Sequence, residues 1–91
     1  MPRYLIERVF ADGFPLGPTE EGRDDCTRIA ARNAELGVVW LHSYVAEGRR
    51  TSYCVCDALS PEAVRRASAR INWPIDALTQ VEVVKCLGID E

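Results

Sequence analysis

The segment spanning residues 38–57, VVWLHSYVAEGRRTSYCVCD, constrains the fold most strongly. Two runs of alternating, β-branched and aromatic residues flank the pair Glu47-Gly48, a pattern typical of a β-hairpin closed by a tight turn. The same segment contains the single histidine of the chain, His42, and two of its four cysteines. The candidate chemical groups are therefore concentrated on two neighbouring strands.

Strand and helix patterns surround this hairpin. Alternation over residues 3–10 predicts a first strand, and residues 19–36 have the apolar spacing of an amphipathic helix. A second helix is predicted to follow Ser60, a residue type that caps helix N-termini, and residues 78–87 predict a last strand. The order β-α-β-β-α-β is typical of a ferredoxin-like α+β sandwich, in which two helices cover one face of a four-stranded antiparallel sheet.

Length and charge narrow the class of protein. The 91 residues predict a single domain spanning residues 1–91. A net charge of −3 argues against a nucleic-acid partner, since such proteins need a basic surface. No apolar stretch reaches the ~20 residues of a membrane span, and the chain starts directly with a strand pattern, so we expect a cytoplasmic protein without a membrane partner.

The four cysteines show no metal-binding or redox spacing, because no C-x-x-C pair is present. Without a secretory signal, a disulfide framework is not expected. We therefore expect Cys26, Cys54, Cys56 and Cys86 to be small buried residues.

Helices on one side of the predicted sheet leave its other face uncovered. An apolar and aromatic face does not stay in contact with water in a small domain, so we expect it to be covered. The simplest covering is a second copy of the chain, packed sheet to sheet about a two-fold axis. The sequence therefore predicts a homodimer that forms an α/β barrel.

The turn of the hairpin determines which residues share a face of the sheet. With Glu47-Gly48 as a two-residue turn, we expect the helices to cover the smaller side chains, which are Val39, Leu41, Ser43, Val45, Ser52, Cys54 and Cys56. We expect the bulkier side chains to line a cavity at the dimer interface that could hold a small molecule; these are Val38, Trp40, His42, Tyr44, Tyr53 and Val55. A one-residue shift would instead place His42 beside Cys54.

Several segments resemble a known family. They are MPRYLIER, VVWLHSYV, SYCVCDA, SPEAVRRASARINWP and ALTQVEVV. Together they make nearly the whole chain similar to the small nickel-binding, ferredoxin-like proteins first catalogued as a domain of unknown function. The resemblance implies a homodimeric α/β barrel that can hold divalent nickel, with no established reaction. Members commonly carry a histidine in the second helix where this chain has Ala67, whose methyl group cannot coordinate a metal.

A nickel site would therefore depend on other groups. Ni²⁺ accepts imidazole, carboxylate, water and thiolate ligands. His42 is the one imidazole, and a dimer would supply two. The other candidate ligands are Glu7, Tyr44 and Cys54, with Trp40 and Tyr53 lining the cavity. A lone histidine among aromatic residues is also typical of a hydrogen-bonded interface residue, and with a two-residue turn His42 and Cys54 do not converge within one chain.

Two alternatives to metal binding remain at this point. Dimeric barrels of this fold also host small cofactor-free monooxygenases and isomerases, for which His42 could act as a base beside Tyr44 and Trp40. The chain could also be a ligand-binding module without catalysis. No second acid or nucleophile occurs at a recognisable spacing, which favours a protein that is not an enzyme.

Overall fold

The computed structural model describes residues 1–86, which form four strands and two helices. In chain order these are β1 (Arg3–Val9), α1 (Glu20–Glu35), β2 (Val38–Val45), β3 (Thr51–Ala58), α2 (Pro61–Arg70) and β4 (Ala77–Val81). The strands pair in the order β2-β3-β1-β4, and every pairing is antiparallel. The chain therefore has the predicted ferredoxin-like α+β fold, with β1 and β3 in the centre of the sheet.

Both helices begin at capping residues that the sequence places before them. The Thr19 hydroxyl accepts a hydrogen bond from the Gly22 N–H at 3.0 Å, and the Ser60 hydroxyl accepts one from the Ala63 N–H at 3.2 Å. Each bond satisfies a backbone donor that has no partner inside the helix. Within residues 1–86, neither helix is long and apolar enough to cross a bilayer.

The hydrophobic core lies between the sheet and the helices. The small side chains of β3 face this layer as predicted, and Cys54 and Cys56 are each 2% exposed. The buried hydrophobic residues are Tyr4, Ile6, Val38, Cys54, Cys56, Ala58, Ala63, Val64 and Ala67. Because α2 contributes three of these residues and α1 contributes none, α2 is the helix that closes the core.

The hairpin differs from the predicted two-residue turn. The Ala46 N–H donates to the Thr51 carbonyl at 2.9 Å, so four residues separate the paired positions. A two-residue type I′ turn needs positive φ at both central residues, whereas positive φ here falls on Gly48 (88°) and Arg49 (60°). Glu47 therefore does not take the first central position of such a turn.

A β-bulge changes the pairing again in the middle of β2. Trp40 pairs with Cys56 and His42 pairs with Val55, so Leu41 is an extra residue between two regular stretches. Val38 and Trp40 consequently face the helices, and Val39 faces the other side, which corrects the predicted assignment of these three residues.

The last strand is shorter than predicted, since β4 ends at Val81 and not at Leu87. Val81 pairs with Arg3, which is the first residue of β1. Beyond Val81, β4 therefore has no residue of β1 left to pair with. Residues 82–86 have no regular structure, and Leu87 lies outside the described residues.

The cysteines are all free, but they differ in exposure. Cys54 and Cys56 are buried, as expected for small core residues. Cys26 is half-buried and Cys86 is exposed, so the expectation of burial was wrong for Cys86.

Candidate functional site

The face of the sheet opposite the helices carries most of the predicted site residues. We call this the open face and define it by the strand residues that alternate with the core residues. Side chains of directly paired residues lie on the same side of a sheet, so the strand pairings assign the residues of all four strands to one face or the other. The open face consists of Arg3, Leu5, Glu7, Val9, Val39, His42, Tyr44, Thr51, Tyr53, Val55, Asp57, Ala77, Thr79 and Val81.

Three oxygen-bearing side chains form a row across the open face. Tyr44 pairs with Tyr53, and Tyr53 pairs with Glu7 on the next strand. Neighbouring strands are about 4.8 Å apart, so adjacent members of this row can touch or share a ligand. The row combines one carboxylate with two phenols.

His42 lies beside one end of this row. It is exposed on the edge strand β2, and its ring packs edge-to-face on the Tyr44 ring, with centroids 5.2 Å apart and an interplanar angle of 80°. The contact orients the imidazole while leaving it accessible. The role of His42 as a metal ligand or as an interface residue stays a prediction.

The described part of the chain brings these groups close together without completing a metal site. Glu7 and His42 are two strands and two residues apart, which separates their Cα atoms by roughly 12 Å. No cluster of three or more histidine, cysteine, aspartate or glutamate side chains able to hold a metal occurs within residues 1–86. A metal site on the open face would therefore need groups beyond those of residues 1–86, such as those of a second copy.

Two of the predicted site residues lie on the other side of the sheet. Cys54 is buried under the helices, and its sulfur lies 3.8 Å from the hydroxyl of Ser52. Trp40 also faces the helices, where its indole N–H donates to the Ser43 hydroxyl at 2.9 Å. Neither side chain shares the open face with His42, so Cys54 and His42 do not converge within one chain.

The position of the family's helix histidine is also on the helix side. Ala67 lies in α2, is 4% exposed and belongs to the buried core. An imidazole at this position would lie in the interior of the chain. The open-face residues therefore form their cluster independently of position 67.

A groove runs between α1 and the edge strand β2. It has a volume of about 370 Å³, and its walls include Cys26, Trp40 and His42. This volume is in the range of small-molecule sites. His42 thus borders both the open face and the groove.

An ion pair lies at one corner of the open face. The Arg3 Nε donates to the Asp57 carboxylate at 2.8 Å, and a second bond from the same guanidinium is 3.2 Å long. The hydrogen bond from Arg3 lowers the pKa of Asp57, and the same contact raises the pKa of Arg3. Both groups are therefore charged at neutral pH and are not free to act as acid or base.

Sequence reasoning missed a buried arginine next to the aromatic residues. Arg8 is 5% exposed, and its guanidinium lies 5.4 Å from the centre of the Trp73 ring. The signal was present, because Arg8 continues the alternation of Tyr4 and Ile6, which face the core. Trp73 further contacts the rings of Phe10, Phe14 and Trp40 at centroid distances of 5.6 to 6.0 Å.

Comparison with known proteins gives one family and one similar structure. The model of the family described as "Nickel responsive protein SCO4226-like" matches residues 4–81. The chain is also similar to the crystal structure of SCO4226 from Streptomyces coelicolor A3(2), with a TM-score of 0.68 and 18% identity, over 91% of this chain and 99% of that chain. No curated protein matched the chain. Since the family model matches well over half of the chain, this protein belongs to the SCO4226-like family of nickel-responsive proteins.

Proposed function

We propose that the protein binds Ni²⁺ on the open face of its sheet as a homodimer, with one His42 imidazole from each copy as a principal ligand. The observation that supports this proposal most directly is the grouping of His42, Tyr44, Tyr53 and Glu7 on one uncovered face. The description of the family as nickel-responsive points to the metal. Imidazole and carboxylate are both ligands that Ni²⁺ accepts.

A second copy would supply ligands that residues 1–86 of one chain do not bring together. Face-to-face sheets pack about 10 Å apart, which is close enough for side chains of both sheets to meet between them. Exposed apolar side chains on the open face favour such packing: Val9 is 46%, Val39 is 45% and Tyr44 is 61% exposed. A two-fold axis near β2 would bring two His42 side chains together.

Within this dimer the residues of the chain would have separate roles. His42 would bind the metal through a neutral ring nitrogen, and Glu7 or Tyr44 of either copy would add oxygen ligands or orient bound water. Tyr53 and Val55 would exclude bulk water from the interface. Bound Ni²⁺ would serve as the recognised ion, and we assign no reaction to the site.

The first test is nickel binding by calorimetry. His42→Ala should abolish Ni²⁺ binding or weaken it at least tenfold, because it removes the only imidazole. Cys86→Ser is the matched control, because it removes an exposed sulfur ligand outside the open face and should leave binding unchanged. Unchanged binding by the His42 variant would contradict the proposal.

Stoichiometry provides a second test. The shared site predicts one Ni²⁺ per two chains in elemental analysis of protein equilibrated with nickel and then desalted. One tightly bound ion per chain would mean that each copy completes its own site, and the absence of metal would favour a ligand-binding module.

We place the protein in the cytoplasm as part of this proposal. The support is that all four cysteines are free thiols. Fractionation of cells should therefore recover it with cytoplasmic enzymes, and recovery from a secreted fraction would contradict this placement.

A further inference from the structure

The groove between α1 and β2 is open because α1 turns small side chains towards it. Gly22, Cys26 and Ala30 are spaced four residues apart, so they lie on one side of the helix, and all three border the groove. No residue of α1 belongs to the hydrophobic core, and the groove has a volume of about 370 Å³. The helix therefore leaves a space beside the edge strand that a small molecule can occupy.

The bulge in β2 shapes the opposite wall of the groove. Successive side chains of a regular strand point to opposite sides, whereas here Trp40, Leu41 and His42 all border the groove. Leu41 is the extra residue of the bulge, has no partner on β3 and is 39% exposed. Bulges redirect side chains in this way next to functional sites. The bulge thus adds an apolar side chain to the groove instead of to the regular pairing.

Positive charge is concentrated at one end of this largely apolar groove. Phe14, Leu16 and Val45 add to its apolar walls, and the guanidinium-bearing residues Arg23 and Arg49 also border it. Arg49 donates a hydrogen bond to the Leu16 carbonyl at 2.5 Å, in the loop that leads into α1. Since Arg23 lies near the start of α1, both cations are at the end of the groove where the helix begins.

The cations at this end have no carboxylate partner within residues 1–86. The ion pairs in this part of the chain use Arg3, Arg28 and Arg70, and no acidic side chain of the described residues borders the groove. The acidic residues of the first turns of α1 and of the neighbouring loops lie outside it; they are Asp12, Glu20, Glu21, Asp24, Asp25 and Glu47. Their charges weaken the positive potential through solvent, but only the two guanidinium groups border the space itself.

We propose that the groove binds a medium-chain carboxylate, with the charged group against Arg23 and Arg49 and the alkyl chain along the apolar wall formed by β2. Guanidinium groups form charge-assisted and often bidentate hydrogen bonds with carboxylates. The stretch of α1 that borders the groove, residues 22–30, is about 12 Å long, which is comparable to a linear chain of about ten carbons. The site needs neither a metal nor a second copy, so it is tested on the metal-free protein and is independent of the proposed nickel site.

The first experiment compares two ligands that share a chain and differ in the sign of their charge. In calorimetry, decanoate should bind at least tenfold more tightly than decyltrimethylammonium, with both kept below their micelle concentrations. The alkyl chains are equal, so the difference reports the positive end of the groove. Equal affinities, or no binding of decanoate, would overturn the proposal.

The second experiment locates the ligand through a thiol in the groove wall. Saturating decanoate should slow the labelling of Cys26 by iodoacetamide at least fivefold, as measured by peptide mass spectrometry, because the chain would cover this side chain. Cys86 is exposed, does not border the groove and is the internal reference, so its labelling should not change. Bound decanoate that leaves Cys26 labelling unchanged would lie elsewhere, for example on the open face, and would overturn the site.

A charge substitution provides the third experiment. Arg23→Gln should weaken decanoate binding at least threefold, because it removes one of the two cations that border the groove. Arg65→Gln is the matched control, since it removes the same charge from an exposed position on α2 and should leave the affinity unchanged. Both side chains are exposed, so neither substitution should unfold the protein. Equal affinities of the Arg23 variant and the wild-type protein would contradict the proposed site.

Discussion

Neighbouring residues on β1 have opposite environments, and this difference organises the chemistry of the protein. Glu7 is half-buried on the open face, where it is aligned with two tyrosines. Arg8 is buried on the helix side, where it contacts an aromatic ring and two neutral oxygen atoms. The alternation of a strand thus separates an accessible carboxylate from a hidden cation.

The cysteines should differ in reactivity because they differ in burial. Burial raises the pKa of Cys56 to about 11, so at pH 8 only about one thousandth of its molecules are the reactive thiolate. We therefore expect iodoacetamide to label exposed Cys86 quickly and to leave Cys56 unlabelled in the native protein, as measured by peptide mass spectrometry. Labelling in urea is the control, since unfolding should make both residues reactive. Equal labelling rates in the native state would contradict the burial of Cys56.

The local sequence features that predict helices and strands are more reliable than those that predict the register of a hairpin. Capping residues, turn glycines and hydrophobic periodicity predicted both helices and all four strands, with errors confined to their ends. The hairpin register was not predictable in the same way, because it depends on which residues adopt positive φ and on an extra residue within β2. For the same reason the sequence placed His42 and Tyr44 on one face correctly but placed Trp40 on the wrong one.

The end of β4 shows another limit of sequence patterns. Residues 78–87 alternate well enough to predict a long strand, but a strand also needs a partner. The partner β1 starts at Arg3, and this start ends the pairing at Val81. The burial of Arg8 follows from the alternation of β1, but its contacts with Trp73 and α2 depend on tertiary packing that the sequence pattern does not show.

The start of α1 depends on a close backbone approach at Gly22. A Cβ atom built there would overlap the Gly17 carbonyl oxygen, and no side-chain rotation relieves an overlap with backbone. Gly22→Ala should therefore lower the free energy of unfolding by about 1–3 kcal/mol, as measured by urea denaturation. Gly17→Ala is the control, because its Cβ would meet only the Thr19 hydroxyl at 4.0 Å. If the two variants were equally stable, the close approach would not be a constraint.

At the scale of the whole molecule, the sheet separates two regions of different character. The helix side contains the core, the aromatic cluster around Trp73 and the buried guanidinium of Arg8. The open side carries apolar residues together with His42, Glu7 and two tyrosines. The proposed dimer would cover the second region and leave the first unchanged.

A charge on the open face should therefore dissociate the proposed dimer. Val55 lies on the central strand β3 and pairs with Leu5 and His42 across the face. Val55→Lys should convert the dimer into a monomer in light scattering at tens of micromolar, because the interface would have to remove a long charged side chain from water. Ala69→Lys, on the exposed side of α2, should remain dimeric. A monomeric wild-type protein under the same conditions would remove the support for sheet-to-sheet assembly.

The bulge at Leu41 has a consequence for comparing this chain with its relatives. In a regular strand, residues 40 and 42 would point in the same direction, whereas here Trp40 and His42 lie on opposite sides of the sheet. A relative whose second strand lacks the bulge would match this chain side chain for side chain only after a one-residue gap inside the strand. Without that gap, an alignment would equate His42 with a residue of the interior, although no loop had changed its length.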